Sequence, residues 1–203
     1  MTGSENVVGT APHVEARHAT VLRCDLESST ETKRRLDLEG QVALRHSFER
    51  VVAEAAGRYG AHVEPFEGDG AMLVLGDSAQ AEDSAESAVR MGLDLVRAIT
   101  ETEIVPNVPM RLRVGIASGL MAVVGPPEAR AGRFAGVTID LAERLRALAE
   151  PGQVVIADAT QRLAAGFFRY DDLGLVPVKG FQEGVRAWRV VGDDHLAGLG
   201  ERP

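Results

Sequence analysis

Apolar positions along the 203-residue chain follow two rhythms, and their succession sketches a layered fold. Strand-like runs occupy 18–26, 61–66 and 71–75, around a segment at 31–58 with helical composition. Ala85, Ala88, Val89, Gly92, Leu93, Val96 and Ile99 recur at spacings of three and four, the pattern of one apolar helix face laid on a sheet. Strand pairs are expected at 110–117 and 120–125, followed by a helix over 137–149 that Pro151-Gly152 stops. Val154-Val155-Ile156 reads as a short strand, Asp158 as the cap of a helix over 159–165, and 167–175 and 186–191 as the last strands. Strands interleaved with helices, with hairpins among them, predict an α+β class in which helices pack on a sheet. Residues 1–16 and 193–203 mix Gly, Ser, Pro and charge without a sustained period. They are expected to be flexible ends around one folded domain at 17–192.

Composition narrows the partners. The 22 basic and 30 acidic side chains give a net charge of −8, so no general basic surface is available to hold nucleic acid. A small anionic substrate held by local cations remains open. Cys24 is the only cysteine, which excludes an intramolecular disulfide and fits a reducing compartment. No apolar run approaches the ~20 residues of a membrane span. Met1-Thr2-Gly3-Ser4-Glu5-Asn6 lacks the basic start and greasy middle of a signal peptide. The expectation is a soluble, cytoplasmic protein with no membrane partner. His13, His18, His46, His62 and His195 show no metal-ligand spacing, and no Walker loop or GxSxG elbow occurs.

The chemistry centres on two carboxylates. Asp25 and Asp69 each sit where a short apolar strand meets a turn, in Val21-Leu22-Arg23-Cys24-Asp25-Leu26 and Phe66-Glu67-Gly68-Asp69-Gly70. Either alone reads equally as a turn-forming or capping aspartate. Together, strand-end carboxylates suit Mg²⁺ or Mn²⁺, and a metal pair about 3.5–4 Å apart polarises both the attacking and the leaving oxygen of a phosphoryl transfer.

Several blocks in order carry a family resemblance: Val21 to Thr30, Phe66-Glu67-Gly68-Asp69-Gly70, Arg111 to Gly119, Leu141-Ala142-Glu143-Arg144-Leu145, Ala149-Glu150-Pro151-Gly152-Gln153 and Val178-Lys179-Gly180-Phe181. Over about residues 18–191 the chain resembles the class III nucleotidyl cyclase catalytic domain. The resemblance implies a ferredoxin-like α+β domain with a mixed, mostly antiparallel sheet and helices packed on it. It also implies a head-to-tail homodimer whose active sites are shared between chains, two Mg²⁺ or Mn²⁺ ions per site, and a nucleoside triphosphate substrate. By position, Asp25 and Asp69 resemble the metal-binding aspartates, and Leu26 lends its backbone carbonyl. The backbone around Ser28, Ser29 and Thr30 faces the triphosphate, with Ser28 where the family usually has glycine. Arg113 matches a phosphate-reaching position, Lys179 a phosphate-contacting lysine from the partner chain, and Arg144 the arginine that stabilises the transition state. Asp140 stands where the family orients the ribose with an asparagine; four residues before Arg144, it shares that arginine's helix face, where the two can pair.

The base-reading positions depart furthest from the family. Pro65 replaces the usual lysine or glutamate, and it offers neither a polar side chain nor a backbone N–H. Arg133 replaces the usual aspartate or threonine; it only donates, so it cannot accept from the amine of adenine or cytosine, although it suits the oxygens of uracil or guanine. An ordinary loop arginine is the alternative. A compact cyclase without the purine-reading pair also resembles the pyrimidine cyclases of bacterial anti-phage signalling, which makes UTP the favoured substrate. The competing expectation is a degenerate cyclase-homology domain that binds nucleotide or a partner without turnover.

Overall fold

Two strands of 14 residues form the spine of the sheet, each paired along both of its edges. In the computed structural model, which describes residues 13–27, 32, 34–66, 68–76, 81–102, 109–125, 133–181 and 183–193, β1 runs from His13 to Leu26. There follow α1 (Leu38–Tyr59), β2 (His62–Val63), β3 (Gly70–Leu75), α2 (Ala81–Glu101), β4 (Leu112–Gly125), β5 (Arg133–Ala135), α3 (Val137–Leu148), β6 (Val154–Ala157), α4 (Asp158–Leu163), β7 (Phe168–Val176) and β8 (Val185–Asp193). The sheet order is β2-β3-β1-β4-β6-β8-β7, with β5 added to β4. Among the described residues only β4 and β6 pair in parallel; the other ladders are antiparallel. The fold class is therefore α+β with a mixed sheet, as expected.

Helices cover the two faces unequally. Leu22, Cys24 and Leu26 of β1 and Leu112, Val114 and Ile116 of β4 are buried in one core with α1 and α2, through Leu44, Phe48, Val52, Val89, Leu95 and Ile99. Each large side chain removed from water in this way contributes roughly 1.5–3 kcal/mol. The opposite face carries a smaller core, in which Val21, Ala117 and Val155 meet Ala142 and Leu145 of α3. Alternation along β1 thus sends Cys24 into the main core, as expected, and Arg23 and Asp25 to the α3 side.

Four boundaries differ from the sequence reading, each for a local reason. β1 begins at His13, because residues 13–16 extend its ladder with β4 through His13↔Gly125 to Ala16↔Ala122. The helical segment expected over 31–58 is interrupted: Thr32, Arg34 and Arg35 are helical, the helix breaks at Leu36 and Asp37, and α1 opens at Leu38, where Asp37 caps it by accepting from Gly40 N–H at 2.8 Å. The expected strand pair 110–117 and 120–125 is one continuous strand, β4. Gly119 serves there as a point of close approach rather than a turn: a Cβ on it would lie 2.8 Å from Thr138 Oγ1 of α3. Asp158 does not cap α4, whose N-cap is Ala157; its carboxylate accepts from Trp188 Nε1 at 3.1 Å and pairs with Arg162. Among the described residues no helix is long and apolar enough to cross a membrane.

Candidate active site

Strand pairing brings the two sequence-predicted carboxylates together. Asp25 lies opposite Gly70 of β3 on one side and opposite Arg113 of β4 on the other. Leu26 N–H donates to the Asp69 carbonyl at 3.3 Å, tying the end of β1 to the turn that carries Asp69. Both aspartates line one cleft of about 190 Å³, with Arg23, Cys24, Gly70, Ala71, Glu143 and Arg146. A larger, mostly apolar cavity of about 520 Å³ adjoins it at Asp69 and Leu26, bounded by Leu38, Val42, Leu44 and Phe48 of α1.

A chain of charges crosses the cleft. Arg113 grips Asp25 with both arms of its fork, Nε to Oδ1 at 3.1 Å and Nη2 to Oδ2 at 2.7 Å. Arg146 Nη1 donates to the same Oδ2. Arg146 also holds Glu143, through Nε to Oε2 at 3.2 Å and through Nη2 to Oε1. Glu143 takes a further bond from Arg23 Nε at 3.0 Å. Arg–carboxylate forks of this kind are strong and directional. The side chains of Asp25 and Arg146 are each only 17% exposed, so solvent screens the pair far less than it would on an open surface.

The charges set the protonation of the lining. Burial pushes the Glu143 carboxyl up, but the hydrogen bond and charge of Arg146, joined by Arg23, outweigh it and hold Glu143 below its ordinary value. Burial likewise lowers the Arg146 pKa, and the bond to Glu143 with the charge of Asp25 more than restores it, so the net shift is upward. Cys24 is pushed up to about 12, chiefly by burial, and stays a neutral thiol with no nucleophilic role.

A divalent cation fits the donor set. The groups offered are carboxylate oxygens from Asp25 and Asp69, hard ligands suited to Mg²⁺ or Mn²⁺, which keep water and substrate oxygens in their other positions. Among the described residues no cluster of three or more His, Cys, Asp or Glu converges, so two carboxylates are what the protein side chains supply. The double arginine grip on Asp25 marks the same spot as one that attracts positive charge.

The other predicted residues lie elsewhere. Asp140 and Arg144 stand on the exposed side of α3, and no Asp140–Arg144 ion pair forms, contrary to the spacing argument. Lys179 is exposed in the turn between β7 and β8. Pro65 is exposed on the link from β2 to β3, and Arg133 opens β5 opposite Val124 of β4. Asp140, Arg144, Lys179 and Pro65 do not line the Asp25–Asp69 cleft. Ser28, Ser29 and Thr30 lie outside the described residues. Sequence reasoning missed Arg23, Glu143 and Arg146. Alternation places Arg23 on the face of Asp25, and the i,i+3 spacing of Glu143 and Arg146 marks a helical pair, but nothing in the sequence says that the two meet over β1.

Comparisons with known proteins identify the family to which this fold belongs. An uncharacterized protein of Rhizobium meliloti is 28% identical over 188 residues, covering 91% of this chain and 18% of its own length. An adenylate cyclase of Streptomyces griseus is 33% identical over 143 residues, covering 70% of this chain and 31% of its own. The chain thus spans less than a third of either relative. The crystal structure of the adenylyl cyclase CyaB from P. aeruginosa superposes with a TM-score of 0.81 at 27% identity, covering 88% of this chain and 96% of that one. The model of the adenylate and guanylate cyclase catalytic domain matches residues 14–192. The chain belongs to the adenylate and guanylate cyclase catalytic domain family.

Proposed function

We propose that the protein converts a nucleoside triphosphate into its 3′,5′-cyclic monophosphate and pyrophosphate. The ribose 3′-oxygen bonds to the α-phosphorus while the bond from that phosphorus to the bridging oxygen of the β-phosphate breaks, and the hydroxyl proton leaves to water or phosphate. The observation that carries this reading is the convergence of Asp25 and Asp69 in one cleft beside Arg113. Mg²⁺ or Mn²⁺ held by Asp25, Asp69 and the Leu26 carbonyl would supply the acidity that ionises the 3′-hydroxyl and the charge that steadies the phosphates.

The chain's own residues orient and neutralise. Arg113 reaches from β4 to Asp25, where a fixed guanidinium would stabilise charge gathering on departing pyrophosphate. Arg144 and Lys179 act on the cleft of a partner chain. Their exposure, and their absence from the Asp25–Asp69 cleft of their own chain, support a homodimer with shared sites. Asp140 takes the ribose-orienting place as an acceptor only. The base is a pyrimidine, because the purine-reading pair is replaced and exposed Pro65 offers no polar reader, and UTP is preferred because Arg133, which only donates, suits the oxygens of uracil.

A nucleotide-binding domain without turnover is the competing reading, favoured by the carboxylate at Asp140 and by the two arginines already on Asp25. Incubation with each of the four nucleoside triphosphates and Mn²⁺, followed by assay of cyclic product and pyrophosphate, separates the two. Equimolar cyclic UMP and pyrophosphate is the expected result. Cyclic AMP as the main product would overturn the base assignment, and binding with no product from any triphosphate would leave the competing reading standing.

A further inference from the structure

Arg146 occupies the oxygen that a cation at Asp25 would need. Asp25 Oδ2 accepts from Arg146 Nη1 and from Arg113 Nη2, and Oδ1 accepts from Arg113 Nε, so both oxygens are engaged by guanidinium groups. The position of Arg146 is fixed by rigid elements. α3 packs on β4 at Gly115, where a Cβ would stand 2.1 Å from Arg146 N and 2.7 Å from Arg146 Cα. Glu143, one helical turn earlier, holds the guanidinium by two bonds that do not involve Asp25.

We propose that Arg146 is a built-in competitor of the divalent cation at Asp25: it neutralises the carboxylate while the metal is away and yields Oδ2 when the metal binds, retained by Glu143. The inference rests on reading Asp25 as a metal ligand. A guanidinium and a divalent cation on one carboxylate oxygen repel each other, and the oxygen has too few lone pairs for two arginines and a metal. Arg113 has a second destination on the phosphates; Arg146 has one on Glu143. Cation and Arg146 therefore weaken each other at Asp25 by the same factor, as linkage requires. Arg146 is a positioning residue, acting through Asp25 rather than on substrate.

The test is a Mn²⁺ titration of the full chain without nucleotide, with free Mn²⁺ read by electron paramagnetic resonance and folding checked by circular dichroism. Arg146→Gln is expected to tighten Mn²⁺ binding by about tenfold. Arg146→Lys, which keeps the charge without the fork, should tighten it less. Arg50→Gln removes a positive charge from an exposed pair on α1 and sets the baseline for a general charge effect. Arg146→Gln binding no tighter than Arg50→Gln would overturn the competition. Should Arg146→Gln fail to fold, tightening in Arg146→Lys over that baseline supports the proposal and no tightening overturns it. Asp25→Ala separates this inference from its parent. If Asp25→Ala binds Mn²⁺ as the wild type does, the metal assignment and the competition fall together; if it abolishes the site while both Arg146 variants match the baseline, only the competition falls.

Discussion

Two groups of arginine–aspartate pairs in this molecule use the same chemistry to different ends. On the β7–β8 hairpin, Arg189 pairs with Asp171 and Arg186 with Asp172, one cation to one anion, each drawn from directly facing or neighbouring strand positions. The side chains there are 39–51% exposed, and Arg186 also lies over the Trp188 ring at 4.8 Å. In the cleft, one aspartate on β1 is shared by arginines from β4 and α3, and the chain of charges continues to Glu143 and back to Arg23 on β1. The hairpin pairs are local and solvated. The cleft network joins segments far apart in sequence beside an open volume, so its aspartate remains reachable by a ligand that outbids the arginines. Exposed pairs contribute little to stability, whereas the loss of a partner inside a shielded network leaves charge uncompensated.

The sharpest way to break the comparison is to remove one aspartate from each group. Asp25→Ala or Asp69→Ala should lower cyclic nucleotide formation by more than about 100-fold, as expected for a lost metal ligand. Asp171→Ala should leave the rate unchanged in the same assay, and equal effects would erase the distinction. Next in size is Gly115→Ala, whose Cβ would meet backbone of α3 at 2.1–2.7 Å. Pushing α3 off the sheet should cost about 1–3 kcal/mol in urea denaturation and reduce activity with it. Wild-type stability in that variant would mean that α3 is free to slide and does not fix Arg146.

Acid sharpens the contrast further. Because Glu143 ionises more readily in the folded protein than in the unfolded chain, the unfolded state takes up the extra proton on acidification. The stabilisation it gives is present above about pH 4.3, the unfolded value, and disappears as pH falls through the lower folded value. Glu143→Gln should therefore lose less stability than wild type between neutral pH and pH 4 or below, measured by denaturant midpoints. An identical pH slope would remove Glu143 from the network. The smallest effect is expected at the hairpin, where Arg189→Ala should leave the denaturant midpoint nearly unchanged.

The sequence carried the fold and half of the cleft. Alternation along β1 assigned Cys24 to the core and Asp25 to the other face, and the spacing of Ala85 to Ile99 identified α2, because both periods are local. The aspartate pair was legible because each residue stands where a strand meets a turn, a signal carried by its immediate neighbours. Arg146 was not legible. Its role depends on where α3 crosses β4, and that crossing is set by the missing Cβ of Gly115 and of Gly119, a contact between distant segments that no local pattern reports. Residues 13–16 were lost for a similar reason: His13 and Glu15 interrupt the apolar Val14 and Ala16, and the ladder there is set by backbone pairing with β4.

The central claim is that Asp25 and Asp69 from one chain complete a cyclase site with Arg144 from another. Mixing purified Asp25→Ala chains with Arg144→Ala chains tests it most directly, since each variant alone lacks every intact site while a mixed dimer regains one. With equal amounts and free exchange, about a quarter of the wild-type rate should return. A mixture as inactive as its two components, under conditions where exchange between dimers is demonstrated, would contradict the account.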